Sequence, residues 1–553
     1  MPGADRPNVV WIAMEDTTPR LGCYGDDLAR TPNIDALAAG GRRYPNAFST
    51  APVCAPSRSA VMTGCHQNAI GTHHMRTTHT NEDAPSLPTP YDAVPPHYVT
   101  AVPELFRQAG YYCTLDSKAD YQFGTPFSMW DHRGDGAGWW DDAREADQSF
   151  FAMFTNGVTH ESGQWDPTDP GYEEVLGGAV ADPDTDPDAV EVPPYLPDTE
   201  TTRNAIARQY DNVARSDEWV GEILDGLDEA GLAEDTIVVL WSDHGEGLPR
   251  SKRWPYDGGI HVPLVVRWPG EVEAGDVDER LVSMMDLGPT VLAACGLDVP
   301  QYVGGRQFLG PDADEREYVF ASRDRYDESY DMVRAVRDHR FKYLRHYRPG
   351  TPYRQWIPFR NRHPVMRELL DRAREGKLEG AERWFDANRP AEELYDLRTD
   401  PYEVDDLADD PEYADTLERF RDALDDWRER VDDAGDESEA EMVWERHRGE
   451  DEPETAAPRF VVNSENHDER TARTDGLELE GPATLSLYCA TQGASLAYAF
   501  ADDPVKNDGS DPQWELYTGP IDLPEGETTV RAKAIRYGFE ESDEQVGIFT
   551  LSE

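Results

Sequence analysis

Lysine is scarce in this chain of 553 residues. Only Lys118, Lys252, Lys342, Lys377, Lys506 and Lys533 occur, and arginine supplies the rest of the 52 basic side chains that face 110 Asp and Glu. The resulting formal net charge of −58 has no basic tract to offset it, so the chain repels phosphate backbones and anionic lipid, and no nucleic-acid or membrane partner is expected. Acidic excess with little lysine suits a salt-loaded cytosol whose cations screen carboxylate repulsion, and a halophilic source is expected. Long apolar runs are also missing. Ile237–Trp241 is strand-sized, far short of the roughly 20 residues that span a bilayer. The apolar pattern Asn8–Met14 begins too close to the first methionine for a secretory leader to precede it, so a cytoplasmic protein is expected. The six cysteines, Cys23, Cys54, Cys65, Cys113, Cys295 and Cys489, lack the short paired spacing of a zinc site or redox dithiol and read as free thiols. What the chain does have is aromatic mass: 14 Trp, 25 Tyr and 17 Phe within a 38% apolar share, which argues for a folded core.

Residues 8–14 read as a buried strand, followed by a helix that Thr31 caps and Pro32 opens. A longer helical pattern from about Asn204 to Ala230 breaks at Gly231 and leads into a strand from Thr236 to Trp241. A further strand at Val262–Trp268 and a helix at Leu287–Ala294, stopped by Gly296, continue the alternation. This predicts an α/β fold with a large, mostly parallel sheet flanked by helices over residues 1–315. From about 316 the pattern shortens to alternating stretches such as Val333–Arg337 and Phe341–Arg345, a smaller antiparallel sheet, followed by a helix with Leu417, Phe420, Leu424, Trp427 and Val431 on one face. The acidic stretch 432–458 reads as a linker or a solvated end of the large domain, with a boundary placed near 455. Residues 456–553, with the alternating run Thr528–Ile535 between turns, read as a small β-sandwich, similar at Tyr517–Gly526 to the accessory sandwich of some chitobiases.

Two carboxylates, Glu15 and Asp16, directly follow the first strand, and Asp243-His244 directly follows the strand at 236. Ligands of open α/β sheets bind beyond the carboxyl ends of the strands, so four donors are expected at one edge. Oxygen donors favour calcium or magnesium, and the imidazole leaves manganese open. Either pair alone would more often be a solvated turn. Between them, Cys54 opens a helical segment whose free amides favour an anion, and Arg58 one turn on offers a bidentate grip on it.

The run Cys54-Ala-Pro56-Ser57-Arg58 with Thr63-Gly64 resembles the signature of the sulfatases, in which this cysteine is converted to formylglycine. Pro7-Asn8, Thr31–Leu37, Asn46–Phe48 and Asp243-His244-Gly245 resemble the family pattern in the family's order, over residues 7 to about 430. Within it, His73–Arg76, Ser117–Tyr121, Thr159–Ser162 and Glu393–Pro401 look most like the heparan N-sulfatase (sulfamidase) branch. The resemblance implies the alkaline phosphatase-like sulfatase fold. It also implies a divalent metal, calcium foremost, held by Glu15, Asp16, Asp243, His244 and the formylglycine from Cys54. Arg58, Lys118 and Lys252 are then cations around the sulfuryl group, and His160 is the acid for the leaving alcohol or amine. His73, His74 and Arg76 are candidate sugar contacts, with a plain polar loop as the alternative. Glu15, His244 and Asp120 depart from the residues commonest at these positions, and the last leaves the role of Asp120 open. The chemistry suits an aldehyde hydrate, since one hydroxyl can attack sulfur while the other loses a proton to expel sulfate, a step serine lacks. The partners implied are a sulfated carbohydrate and a formylglycine-generating maturation enzyme. Two alternatives remain: a phosphodiester or phosphonate hydrolase of the same superfamily, and a carbohydrate-binding protein without turnover.

Overall fold

The computed structural model of the protein describes residues 6–80, 82–168, 182–311, 313–449, 453–465, 477–500 and 514–552. Its central sheet has eight strands in the spatial order His132–Arg133, Tyr112–Leu115, Phe150–Asn156, Asn8–Met14, Thr236–Ser242, Leu264–Arg267, Arg42–Arg43 and Asp276–Val277. The first five run parallel to one another. Leu264–Arg267 reverses against both its neighbours.

The near-continuous apolar sequence of Asn8–Met14 follows from burial on both faces. Trp11 and Ala13 join one core with Val61, Phe106, Phe151 and Trp241. Val10, Ile12 and Met14 join another with Val213, Val220 and Leu227 of the 30-residue helix Glu200–Glu229. That helix is capped by Thr199, whose hydroxyl accepts from the Thr202 amide (3.3 Å), and it ends before Gly231 at φ 69°.

Helix Pro32–Ala39 is entered differently from the sequence expectation. Thr31 caps none of its amides and instead joins Gly22 to Asp35. The free amides of Asn33 and Ile34 are taken by the Asp217 carboxylate (3.2 and 2.8 Å) from the long helix, which ties the two helices together.

A four-stranded antiparallel sheet of Val319–Arg323, Val333–Arg337, Phe341–His346 and Glu392–Asp396 follows. The apolar stripe Leu417, Phe420, Leu424 and Trp427 of helix Ala414–Val431 packs on its face. The solvation expected of the acidic stretch 432–458 holds for Asp432, Asp436, Glu437, Glu441 and Glu445, which are exposed, and is corrected at Asp433 and Glu439, which are buried. Asp433 accepts from Arg334 Nε (2.7 Å) and Arg428 Nε (3.1 Å), and Glu439, at the start of helix Glu439–Arg446, accepts from Arg325 Nε (2.6 Å). These two acids are not free charges in water but buried counter-charges, Asp433 of Arg334, 99 positions back, and of nearby Arg428, and Glu439 of Arg325, 114 positions back. Residues 450–452 lie outside the described residues.

The C-terminal part forms two sheets of three and five strands around Phe460, Leu485, Val530 and Phe549. It is fastened to the large domain where the Tyr537 hydroxyl donates to Glu104 (2.6 Å) and the Tyr537 ring stacks on Phe123 (5.2 Å).

Candidate active site

Four adjacent parallel strands deliver the site. Beyond their carboxyl ends stand Lys118 after Tyr112–Leu115, His160 after Phe150–Asn156, Glu15-Asp16 after Asn8–Met14, and Asp243-His244 after Thr236–Ser242. Asp16 takes φ 45°, the left-handed turn that aspartate tolerates, and its amide donates to Asp243 Oδ1 (3.2 Å), joining two strand ends. Helix Cys54–Thr63 is wholly buried and begins on Cys54, after Val53 in extended backbone. Ser57 Oγ donates to the Asp243 carbonyl (2.5 Å), which seats this helix on the sheet edge.

Cys54 Sγ lies 3.3 Å from His244 Nε2. Donor atoms of Glu15, Asp16, Cys54 and His160 lie within 4.8 Å of one another, as do those of Cys54, Asp243 and His244, so the sulfur is common to both groups. His244 Nδ1 faces the Gly245 carbonyl (2.8 Å) and must donate to it, which leaves the Nε2 lone pair of the neutral ring facing Cys54 and Asp16. Asp16 Oδ1 is buried and accepts no hydrogen bond. A buried carboxylate oxygen that accepts no hydrogen bond and stands 3.2 Å from His244 Nε2, among convergent donors, fits a divalent cation. Burial alone opposes charge on His244, yet Asp243 and Asp16 lift the imidazolium to about 9, a measure of the negative field a cation would meet.

Cations hold these acids in place. Arg58 Nη2 donates to Glu15 Oε1 (2.7 Å) and Arg58 Nε to Asp243 Oδ2 (3.0 Å). Lys118 Nζ reaches Glu15 Oε2 (2.8 Å), and Lys252 Nζ reaches Asp16 Oδ2 (2.7 Å) and Glu161 Oε1 (3.2 Å). Burial works against both ammonium groups, but Cys54 with Glu15 and Asp16 with Cys54 outweigh it and raise their pKa values. The bidentate anion grip expected of Arg58 is thereby corrected. Two of its nitrogens serve carboxylates, and only the buried Nη1 has no partner.

His160 is pushed well below the ordinary histidine range by burial and then by Lys252. Its Nδ1 accepts from the Ser162 amide (3.4 Å), so the neutral ring carries its proton on Nε2.

The three proposed sugar contacts separate. Arg76 bonds Asp327 and lies over the Phe359 ring (4.8 Å), which faces His160 (6.2 Å). His73 and His74 instead pack ring against ring (4.1 Å) in the interior, and the charges acting on His73 are Arg334, Asp433, Arg446 and Glu439 rather than those around Cys54. Both are as buried as Cys54 and His160, and none of their ring nitrogens has a hydrogen-bond partner among the described residues.

Glu161 and Arg253 were not singled out from sequence. Arg253 grips Glu161 with both terminal nitrogens (3.0 and 2.9 Å), and the Glu161 amide donates to Asp16 Oδ2 (2.8 Å). The only signal was their adjacency to His160 and Lys252. Gly247 is needed here, because a Cβ on it would sit 2.5 Å from that of Glu161.

The sulfatase family model matches residues 7–297, and the model of the N-sulphoglucosamine sulphohydrolase C-terminal region matches residues 245–356. An ulvan-active sulfatase of Formosa agariphila is 37% identical over 565 residues, covering 97% of this chain and 90% of its own. Human N-sulphoglucosamine sulphohydrolase is 28% identical over 467 residues, covering 76% of this chain and 89% of its own. Among solved structures, BT4656 in complex with D-glucosamine-2-N,6-O-disulfate superposes with a TM-score of 0.55 at 18% identity, over 78% of this chain and 100% of that one, a likeness of fold.

Proposed function

The chain belongs to the sulfatase family, and from that premise we propose that it hydrolyses the sulfate of a sulfated sugar, an O-ester or an N-sulfate, at the centre built around Cys54. The observation that carries this reading is that Cys54 Sγ is shared by both donor groups while standing at the start of a buried helix. Formylglycine made from Cys54 would supply a carbon that bears two hydroxyls when hydrated, one to bond sulfur and one to give up a proton for release. A divalent cation, held by Glu15, Asp16, Asp243 and His244, would supply Lewis-acid charge to the sulfate oxygens.

The side chains divide the remaining tasks. Lys118 and Lys252 set a positive field over Cys54 and stabilise the charge that grows on the sulfuryl oxygens. Arg58 fixes the spacing of Glu15 and Asp243. Burial and then Lys252 keep His160 neutral, and a bound sulfate anion favours its imidazolium form, which gives its Nε2 proton to the leaving oxygen or nitrogen and returns to the neutral ring.

The finer assignments rest on chemistry. Replacing sulfur by oxygen at Cys54 turns the donor set predominantly to oxygen, which supports calcium over softer ions. The lysine-poor net charge of −58 supports a salt-rich cytosol, and imported oligosaccharides are then the accessible substrates. Among the described residues no helix is long and apolar enough to cross a membrane. A maturation enzyme acting on Cys54 is the implied partner.

Mass spectrometry of the Cys54 peptide from native cells, run beside sulfate release from O-sulfated, N-sulfated and phosphodiester substrates, tests the proposal. Formylglycine mass and sulfate release are expected, with Cys54→Ala folded and inert. An intact thiol in an active enzyme, or turnover of the phosphodiester alone, overturns it.

A further inference from the structure

Two loops meet at the mouth of the Cys54 centre. The first, residues 326–330, packs Tyr326 in one buried cluster with Cys54, Val53 and Met75, and its Asp327 is held by Arg76 and by Arg253 Nε (2.9 Å). The second, residues 352–362, is tied to the first where Ser329 Oγ donates to the Trp356 carbonyl (2.6 Å). It also lays Phe359 against His160 and against Trp165 (5.1 Å). Between these anchors the Trp356 side chain is left 51% exposed, a large flat apolar surface at the rim of a charged site.

Arg360 follows Phe359 and is 6% exposed. Its Nη2 donates to the Gln355 carbonyl and to Asn361 Oδ1 (3.3 Å), its Nε has no hydrogen-bond partner, and no carboxylate pairs with it among the described residues. The acids whose charge acts on it, Glu161 and Asp327, are already engaged by Arg253, Lys252 and Arg76. Burial, reinforced by Arg253 and Arg323, pushes the guanidinium down to about 9. Arg58, Arg253, Arg325 and Arg334 all have buried carboxylates, and Arg250 and Arg536, buried without an ion pair among the described residues, donate to backbone carbonyls. Arg360 differs from these two in following Phe359, which faces His160, so its missing counter-charge lies beside the catalytic centre.

We propose that Arg360 is the anion-recognising group of a saccharide subsite beside the sulfate-release centre, pairing with a carboxylate or second sulfate on the sugar next to the one being desulfated, while Trp356 covers that sugar's ring face. The proposal rests on the sulfated-sugar reading above. The planar guanidinium fork matches either oxyanion, and the indole offers stacking to the C–H face of a pyranose. The subsite makes the enzyme selective for acidic oligosaccharides over single sulfated sugars.

The test compares sulfate release from a sulfated disaccharide with a uronate neighbour, its carboxyl-reduced counterpart, the counterpart bearing a second sulfate, and the sulfated monosaccharide. The wild type is expected to show a KM for one acidic disaccharide about tenfold or more below that for the reduced one, and which acid does so identifies the group. Arg360→Gln erases that difference with kcat and the monosaccharide KM nearly unchanged, and Arg360→Lys restores part of it. Trp356→Ala raises KM for every disaccharide and not for the monosaccharide. Arg360→Gln melts no lower than wild type, because it removes an uncompensated buried charge. Calorimetric binding of the unsulfated acidic saccharide to wild type and not to Arg360→Gln reads the subsite without turnover, so binding without any sulfate release would sink the sulfatase reading alone. A wild type blind to the neighbour's charge, or an Arg360→Gln loss equal on monosaccharide and disaccharide, overturns the subsite.

Discussion

Arg58 Nη2 donates to Glu15 Oε1 at 2.7 Å with both side chains wholly buried, and the same guanidinium reaches Asp243 from its Nε. The arginine therefore sets the distance between two strand ends as much as it serves a substrate. Arg58→Ala is expected to leave Asp243 without its cation and Glu15 with Lys118 alone, and to lower unfolding free energy by about 3–5 kcal/mol in urea titration. Arg58→Lys recovers charge but not the fork, so it should recover stability in part while kcat stays about a hundredfold or more below wild type. A variant that loses activity with unchanged stability would mean that Arg58 meets only substrate.

Asp16 Oδ1, which accepts no hydrogen bond, and the clustered donors of Glu15, Asp16 and Asp243 lead to a second prediction. Protein stripped by a chelator should melt lower, and calcium added back at about a hundred times its dissociation constant should raise stability by about 2.7 kcal/mol. In Asp16→Asn the calcium-induced rise in melting temperature should shrink sharply. Equal calcium stabilisation of wild type and Asp16→Asn would place the ion elsewhere.

Much of this arrangement was legible in the sequence. Strand-length apolar runs ending in Glu15-Asp16 and Asp243-His244 locate the donors, because a parallel strand buried on both faces leaves polar residues nowhere to go but its end. What escaped were pairings across the chain. Nothing near Glu161 announces Arg253, 92 positions on, and nothing near Asp433 announces Arg334, 99 positions back. Local composition made residues 432–458 look solvated for that reason. His73 and His74 carried a polar identity into the interior, which no local pattern reveals.

The Arg334–Asp433 contact is accordingly expected to be structural. Arg334 donates to Asp433 from Nε (2.7 Å) and Nη2 (2.9 Å) and to Asp324 from Nη2 (2.9 Å). Arg334→Ala should cost about 3–5 kcal/mol, because it takes the buried cation from two buried acids and leaves them only the side chains of Asn68 and, for Asp433, Arg428. Measured on the fraction that remains folded, kcat should match wild type. If deletion of this cation instead left the melting temperature unchanged, Asp433 would be solvated after all.

The fourth prediction concerns acid stability and turns on Glu393, which is 1% exposed and accepts from His346 Nε2 (2.9 Å) and from the hydroxyls of Tyr256 and Tyr395 (2.8 Å each) as well as Tyr353. Burial by itself would raise its pKa, but His346 and these hydrogen bonds prevail and hold it at about 2, against an ordinary value of 4.5. A carboxyl group whose folded pKa is depressed contributes stability that is complete above the unfolded value and is lost as pH falls through the folded one. The window is thus from about 4.5 down to about 2, and the contribution at stake is about 3 kcal/mol. Glu393→Gln keeps the size and loses the titration. In denaturant titrations at a series of pH values, the stability gap between wild type and this variant should be widest near neutrality and should narrow below pH 4.5. A gap that stayed constant down to pH 2 would mean that folding leaves the Glu393 pKa at its ordinary value, and a gap that closed as pH rose above 4.5 would mean that Glu393 is a neutral acid in the folded protein.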